Sequence, residues 1–350
     1  MSTTTTPAFN PYLPVREEWL NRRHEEILEP ALPIIDPHHH LWERPGWRYL
    51  FHDLLADTNS GHNIIATVFV QARAMHRADD AEELRPVGET EFVNGCAAMS
   101  ASGGYGKAKL CAGIVGHANL TLGARVKPVL EAHIRLGGDR FRGIRHIVAW
   151  DSDPVVLNPG NPAPQGLLGD RAFREGFSQL APLNLSFEAW LYHPQIDELT
   201  DLAKAFPGTK IVLNHVGGPL GIGSYEGKRD AVFAGWKKSI LSLAKCENVS
   251  VKLGGLGMRI NGFGFENAAD PPSSDTLGAA WRPWFDTCIA AFGTARCMFE
   301  SNFPVDKGSY SYPVFWNACK KLARGASADD KTNLFSRAAS KFYRLDLPAT

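Results

Sequence analysis

No stretch of this 350-residue chain approaches the ~20 consecutive apolar residues that a membrane-spanning helix needs. Net charge is missing as well. Lys and Arg total 37 and Asp and Glu total 37, so nothing in the bulk charge points to nucleic acid or to an anionic membrane surface. Met1 to Pro7 is rich in Ser and Thr and lacks the basic and apolar segments of a signal peptide; the expected location is cytoplasmic. The six cysteines, Cys96, Cys111, Cys246, Cys288, Cys297 and Cys319, form no C-x-x-C pair, and several sit inside apolar runs. That argues against a zinc knuckle or a disulfide framework and predicts reduced, buried thiols. No G-x-G-x-x-G or G-x-x-x-x-G-K-[ST] follows a β-prone run, so the usual signals of dinucleotide or P-loop phosphate binding are absent.

What is there is an ordinary globular composition, 44% apolar and 21% charged, long enough for two or three domains or one large barrel. Short β-prone runs recur at Ile34–Asp36, Ile64–Gln71, Leu110–Gly116, Phe141–Ala149, Leu185–Trp190, Lys210–Asn214, Val249–Leu253 and Cys297–Ser301. Their mean spacing is about 38 residues, and a βα unit needs about 30 or more. Helix-like stretches lie between them. Pro86 opens one that ends near Gly103–Gly104, and Thr121 can cap another that stops at Gly137–Gly138. Asp170–Leu180, Asp197–Phe206, Asp230–Cys246, Trp281–Phe292 and a terminal Leu334–Tyr343 follow. Alternation of this kind predicts a single-domain (β/α)8 TIM barrel, with a doubly wound sheet as the weaker rival. Residues 1–30 read as an N-terminal arm with a short helix near Trp19–Ile27, 31–345 as the barrel, and 346–350 as a tail. The Pro/Gly-rich stretches Asp153–Gly169 and Asn261–Gly278 follow the fourth and seventh strands, where a barrel carries its lids and walls.

The first strand runs into Asp36-Pro37-His38-His39-His40-Leu41-Trp42. Residues two apart share a face in extended chain, so His38 and His40 point together and His39 points away. Two imidazoles converging at the mouth of a barrel make a natural metal or transition-state site. The sixth strand ends in Asn214-His215-Val216-Gly217-Gly218-Pro219, which brings a third His to the mouth. Arg145, toward the end of the fourth strand, can grip a carboxylate with two N–H groups or pair with Glu188 inside the barrel. Lys252, within an apolar strand, must face a carboxylate, the mouth or the exterior. Gln71 can orient a carbonyl, and His193 is a fourth candidate ligand. Trp42, Trp47, Trp150, Trp190, Trp281, Trp284 and Phe303 fall near strand ends or in long loops; a cluster of them would suit a flat cyclic ligand, and packing is the alternative.

At this point the chain resembles the amidohydrolase superfamily, and within it the amidohydrolase-2 group of sugar lactonases, a pyrone-dicarboxylate lactonase and non-oxidative aromatic decarboxylases. The resemblance rests on the Asp36–Trp42 run, on Arg142-Gly143-Ile144-Arg145-His146, on the Asn214–Pro219 run, on Val251-Lys252-Leu253-Gly254-Gly255-Leu256 and on Phe299-Glu300-Ser301-Asn302-Phe303-Pro304, in order over about residues 33–345. It implies a distorted (β/α)8 barrel with His38, His40 and His215 in the site and an acidic residue at the end of strand eight. Here the chain departs. The group usually has Gly-Ser-Asp-Trp-Pro, so Asn302 stands where that Asp serves as base and often as metal ligand. An amide takes no proton from water near neutrality. Glu300 shares the face of Asn302 but lies about 6.7 Å deeper by strand rise. Asp306, beyond Pro304, could fold back. Either carboxylate can take over the proton, and Glu300 has the better strand phase.

Two-metal members of the superfamily bridge their ions with a modified lysine on strand four, and strand four here has none. The resemblance therefore implies at most one divalent ion, zinc or manganese, on His38, His40 and His215, with metal-independent catalysis left open. The expected function is hydrolysis of a small lactone or carboxylic ester. His38, His40, His215, Glu300 and Asp306 would be catalytic, and Arg145, Gln71, Lys252 and Asn302 would bind a cyclic, carboxylate-bearing substrate. Decarboxylation of an aromatic acid is one alternative; a barrel that binds without turnover is another. Barrels of this group often pair, which leaves a homodimer open.

Overall fold

Each of the β-prone runs becomes a strand of one parallel sheet. The computed structural model describes residues 12–158, 160 and 162–346. Its strands are β1 (Ile34–His39), β2 (Ile64–Val70), β3 (Lys109–Gly116), β4 (Phe141–Arg145), β5 (Ser186–Ala189), β6 (Ile211–Leu213), β7 (Val249–Leu253) and β8 (Cys297–Phe299). They pair in chain order, every neighbour parallel. The sheet nearly closes into a barrel through a parallel bridge between His39 and Phe303. Asn302 N–H donates to His38 O at 2.9 Å, and His40 N–H donates to Phe303 O at 2.8 Å. Asp36 clamps the same seam. Its carboxylate accepts from Ser301 Oγ at 2.6 Å, Ser301 N at 3.0 Å and the Tyr312 hydroxyl at 3.0 Å, while burial pushes its pKa up to about 6.

The helices that follow the strands in turn are α1 (Phe51–Thr58), α2 (Val87–Ala101), α3 (Lys127–Gly137), α4 (Arg171–Phe177), α5 (Ile196–Ala205), α6 (Arg229–Leu243), α7 (Ser274–Phe292) and α8 (Tyr312–Leu322). The fold is thus the expected TIM barrel, with corrections at helix ends. Asn119, not Thr121, caps the segment before α3: its side chain accepts from Thr121 N, and a 3-10 stretch over Leu120–Val126 precedes the helix. Ser273 caps α7 by accepting from Thr276 N, so that helix starts seven residues before Trp281 and takes in part of the stretch read as a loop. The arm helix covers only Glu17–Leu20. Beyond it the chain is pinned along the barrel, where Lys320 Nζ donates to Leu28 O and Glu29 O at 2.7 and 2.9 Å. The sequence pattern missed α8, whose polar positions Asn317 and Lys320 are buried with its apolar ones. It also missed a hairpin of Trp42–Arg44 and Trp47–Tyr49.

The main core lies between sheet and helices. A second cluster, including Ile35, Val68, Val70, Val115, Val212 and Met298, packs with the terminal helix Ala338–Tyr343. All six cysteines are buried and free. Among the described residues no helix is long and apolar enough to cross a membrane. Met1 to Pro7 and residues 347–350 lie outside the described residues.

Candidate active site

The residues that leave the C-terminal ends of the strands converge. His38 and His40 sit 4.9 Å apart between ring centroids, and His38 and His215 sit 4.6 Å apart. His215 and Asn302 both take positive φ, 53° and 56°, conformations that non-glycine residues keep only where the surroundings enforce them. The surroundings are the glycines after β7. A Cβ on Gly255 would lie 2.3 Å from the His215 ring, and one on Gly254 would lie 2.1 Å from the Glu300 carbonyl oxygen. Gly254–Gly255 is therefore clearance for the site.

Glu300 is fully buried beneath the histidines. Its Oε1 accepts from the His215 backbone N at 3.0 Å and from His215 Nδ1 at 2.7 Å, and its Oε2 lies 2.6 Å from His38 Nδ1. His38 has cations at both ring nitrogens: Arg145 Nη1 at 3.2 Å from Nε2, and Lys252 Nζ at 3.2 Å from Nδ1. A neutral imidazole has one lone pair, so only one of these cations can donate to it. The close carboxylate assigns the proton to Nδ1 and the lone pair to Nε2. The same logic applies to His215 through Glu300, and to His40, whose Nδ1 lies 2.7 Å from Val70 O. Each of the three histidines thus has Nδ1–H tied back and Nε2 left as the lone-pair nitrogen. Burial lowers the pKa of all three, keeping them neutral and ligating-competent.

Above them is a cavity of about 80 Å³. His40, His215, Arg145, Gln71 and Asn302 form its polar part, Tyr12, Trp42, Trp190 and Tyr192 its aromatic walls, and Arg44 and Arg73 its charged rim. No carboxylate lines it among the described residues. Arg145 is 5% exposed, donates to the Gln71 backbone oxygen, and keeps its Nε without a hydrogen-bond partner. Gln71 Oε1 and Trp42 Nε1 are likewise buried and unpartnered. These orphaned groups are the polar atoms a ligand would satisfy.

Several sequence-derived site residues do not face this cavity. Glu300 lies behind the histidines rather than beside Asn302, because the chain turns after β8 and Ser301 is drawn to Asp36. Asp306 does fold back, but it stops behind Asn302, accepting from Asn302 Nδ2 at 2.9 Å and Gly257 N at 3.0 Å. Burial lifts its pKa to about 7. A carboxylate at position 302 would meet that of Asp306, and the neutral amide avoids the repulsion. Lys252, fully buried, pairs with Glu188 at 2.8 Å and donates to Pro37 O at 2.9 Å, so Glu188 pairs with Lys252 and not with Arg145. His193 begins a 3-10 turn and accepts from Leu220 N, away from the cavity. Of the aromatic set, Trp42 and Trp190 reach the cavity, Trp47 packs 4.6 Å from Trp42, and Trp281, Trp284 and Phe303 belong to the core. Tyr12 and Arg44 were missed; the hairpin and arm that bring them carry no strong periodic signal.

A parallel eight-stranded barrel with imidazoles, a guanidinium and an amide gathered at the C-terminal strand ends has the architecture of a barrel enzyme. The chain belongs to the amidohydrolase family: the Amidohydrolase model (Amidohydro_2) matches residues 35–345. It is 32% identical over 336 residues to the uncharacterized protein y4mH of Sinorhizobium fredii (strain NBRC 101917 / NGR234), covering 90% of this chain and 99% of that one. It is 23% identical over 213 residues to an L-fucono-1,5-lactonase of Burkholderia multivorans, covering 61% of this chain and 66% of the lactonase. A solved amidohydrolase from Burkholderia multivorans, with zinc bound in that crystal, shares the fold at a TM-score of 0.69 and 22% identity, over 89% of this chain and 99% of that one.

The donor set of this chain fits a metal ion. His38, His215 and Glu300 each offer a ligand atom, all within 4.8 Å of one another, while His40 stands outside that group; imidazole nitrogen and carboxylate oxygen are both donors that zinc takes. The lone pair that Arg145 meets on His38 is one an ion would use, so that contact and ion binding at His38 exclude each other.

Proposed function

We propose that this protein hydrolyses a small lactone or carboxylic ester that carries a carboxylate, with one divalent ion held by His38, His40 and His215. The observation that carries the reading is a cavity whose walls hold three arginines and the imidazoles of His40 and His215, with no carboxylate among the described residues. A zinc-class ion there would supply Lewis acidity and lower the pKa of water, a proton-handling role for which no carboxylate among the described residues lines the cavity. The remaining roles fall to the protein. Arg145 presents N–H donors to the substrate carboxylate or ring carbonyl. Asn302, whose Nδ2 is committed to Asp306, turns its amide oxygen away from that carboxylate, where it can accept a hydrogen bond from water without removing the proton. Glu300 holds the Nδ1 protons of His38 and His215 and so keeps both Nε2 lone pairs available. The aromatic walls exclude solvent around the acyl group.

The test is elemental analysis of protein purified without chelator, together with a screen of lactones, esters and aromatic acids. About one equivalent of zinc or manganese and chelator-sensitive hydrolysis is the expected result. Carbon dioxide release from aromatic acids without ester hydrolysis would replace this reading with decarboxylation. Binding without turnover would leave a barrel that has lost its chemistry. For the best acidic substrate, Arg145→Lys is expected to raise KM about 10–100-fold with the fold intact, because charge remains but the planar fork is lost. An unchanged KM would make Arg145 a partner of His38 only.

A further inference from the structure

The cavity at the histidines, about 80 Å³, is small beside the 560 Å³ basin that adjoins it. Gln71, Arg73 and Ile147 line both. The basin lies over the ends of β2, β3 and β4, the same face of the barrel, and takes in the residues that directly follow β3 and β4, His117 and His146. We propose that it is a second subsite, which receives an uncharged, hydroxyl-bearing arm of the substrate whose reactive end sits at His40 and His215. The inference rests on the hydrolase reading for what happens at that reactive end, but not for the binding itself.

The two imidazoles are set to opposite roles. His117 Nδ1 lies 3.1 Å from Arg145 O, an acceptor, so its proton is on Nδ1 and Nε2 is an acceptor. His146 Nδ1 accepts from Leu120 N at 3.2 Å, so its proton is on Nε2. Their ring centroids are 5.4 Å apart in an edge-to-face arrangement. Burial lowers their pKa values to about 4 and about 3, so both are neutral. A neutral acceptor beside a neutral donor matches a hydroxyl, which is both. Charged residues of both signs, Arg73, Arg85, Glu82 and Glu83, line the basin around them. Gln71, 1% exposed, stands at the junction with its Oε1 unpartnered, ready to accept from a ligand passing between the two spaces.

The test compares binding of aldonates with and without a glycosyl arm, gluconate against cellobionate, with galacto- and manno-configured pairs alongside, by titration calorimetry. The variant is His117→Asn with His146→Asn. Asparagine offers a donor or an acceptor where each Nδ1 stood and removes Nε2, so the bonds to Arg145 O and Leu120 N can persist. The arm is expected to tighten binding about 10-fold in at least one pair of the wild type, and that advantage is expected to vanish in the variant while the armless acid binds as before. An arm that brings no advantage in any pair, or a variant that weakens both members equally, overturns the proposal. Hydrolysis of the parent lactones is followed separately. An arm-dependent binding advantage without any hydrolysis would leave the subsite standing and remove the hydrolase reading.

Discussion

Glu300→Gln is expected to lower kcat by about 10–100-fold, the cost of losing the support of one of the two histidines that the carboxylate holds. A carboxylate accepts from both Nδ1 atoms; a glutamine amide has one accepting oxygen and one donating nitrogen. One histidine keeps its proton on Nδ1. The other faces an N–H and must offer it a lone pair, which moves its own proton to Nε2 and removes that nitrogen as a ligand. The bound-metal equivalent should fall together with kcat, a coupling that loss of packing alone would not produce. Circular dichroism checks that the barrel is intact. A folded variant that keeps both metal and rate would reduce Glu300 to a buried structural acid.

Lys252→Met should have the largest effect on stability, a loss of about 3–5 kcal/mol in urea unfolding, because it strips one partner from a buried ion pair. Among the described residues Glu188 would retain Asn214 Nδ2 and the Tyr343 hydroxyl as donors, and the Pro37 carbonyl would lose its ammonium partner. Adding Glu188→Gln to the same chain should recover part of the loss, since the stranded charge then disappears. A single-variant cost below about 1 kcal/mol would show that the pair is solvated or replaceable. Lys252 stands beneath the histidines and outside the lining of the cavity.

Much of this could be read along the chain because the signals are local. Apolar runs at βα spacing predicted the strands of the barrel, and the structure differs from them mainly at strand ends, as where β4 stops at Arg145 rather than Ala149. Period-two alternation set His38 and His40 on one side. Helix boundaries were less secure, because a single side-chain cap such as Ser273 can start a helix a full two turns early. Strand phase also misled. Glu300 and Asn302 share a face only if extended structure continues, and β8 ends at Phe299.

The sequence by itself determined the parallel barrel and the delivery of His38, His40, His215 and Arg145 to strand ends, since periodicity and turn chemistry act over a few residues. The tertiary structure alone decided what stands behind them. Glu300 reaches His215 across 85 residues and Lys252 reaches His38 across 214. Asp306 holds the amide of Asn302, and the ends of β2, β3 and β4 open a second basin beside the first. Burying a charge forces it to find whichever partner the fold brings near, and no local pattern names a partner that is adjacent only once the barrel has closed.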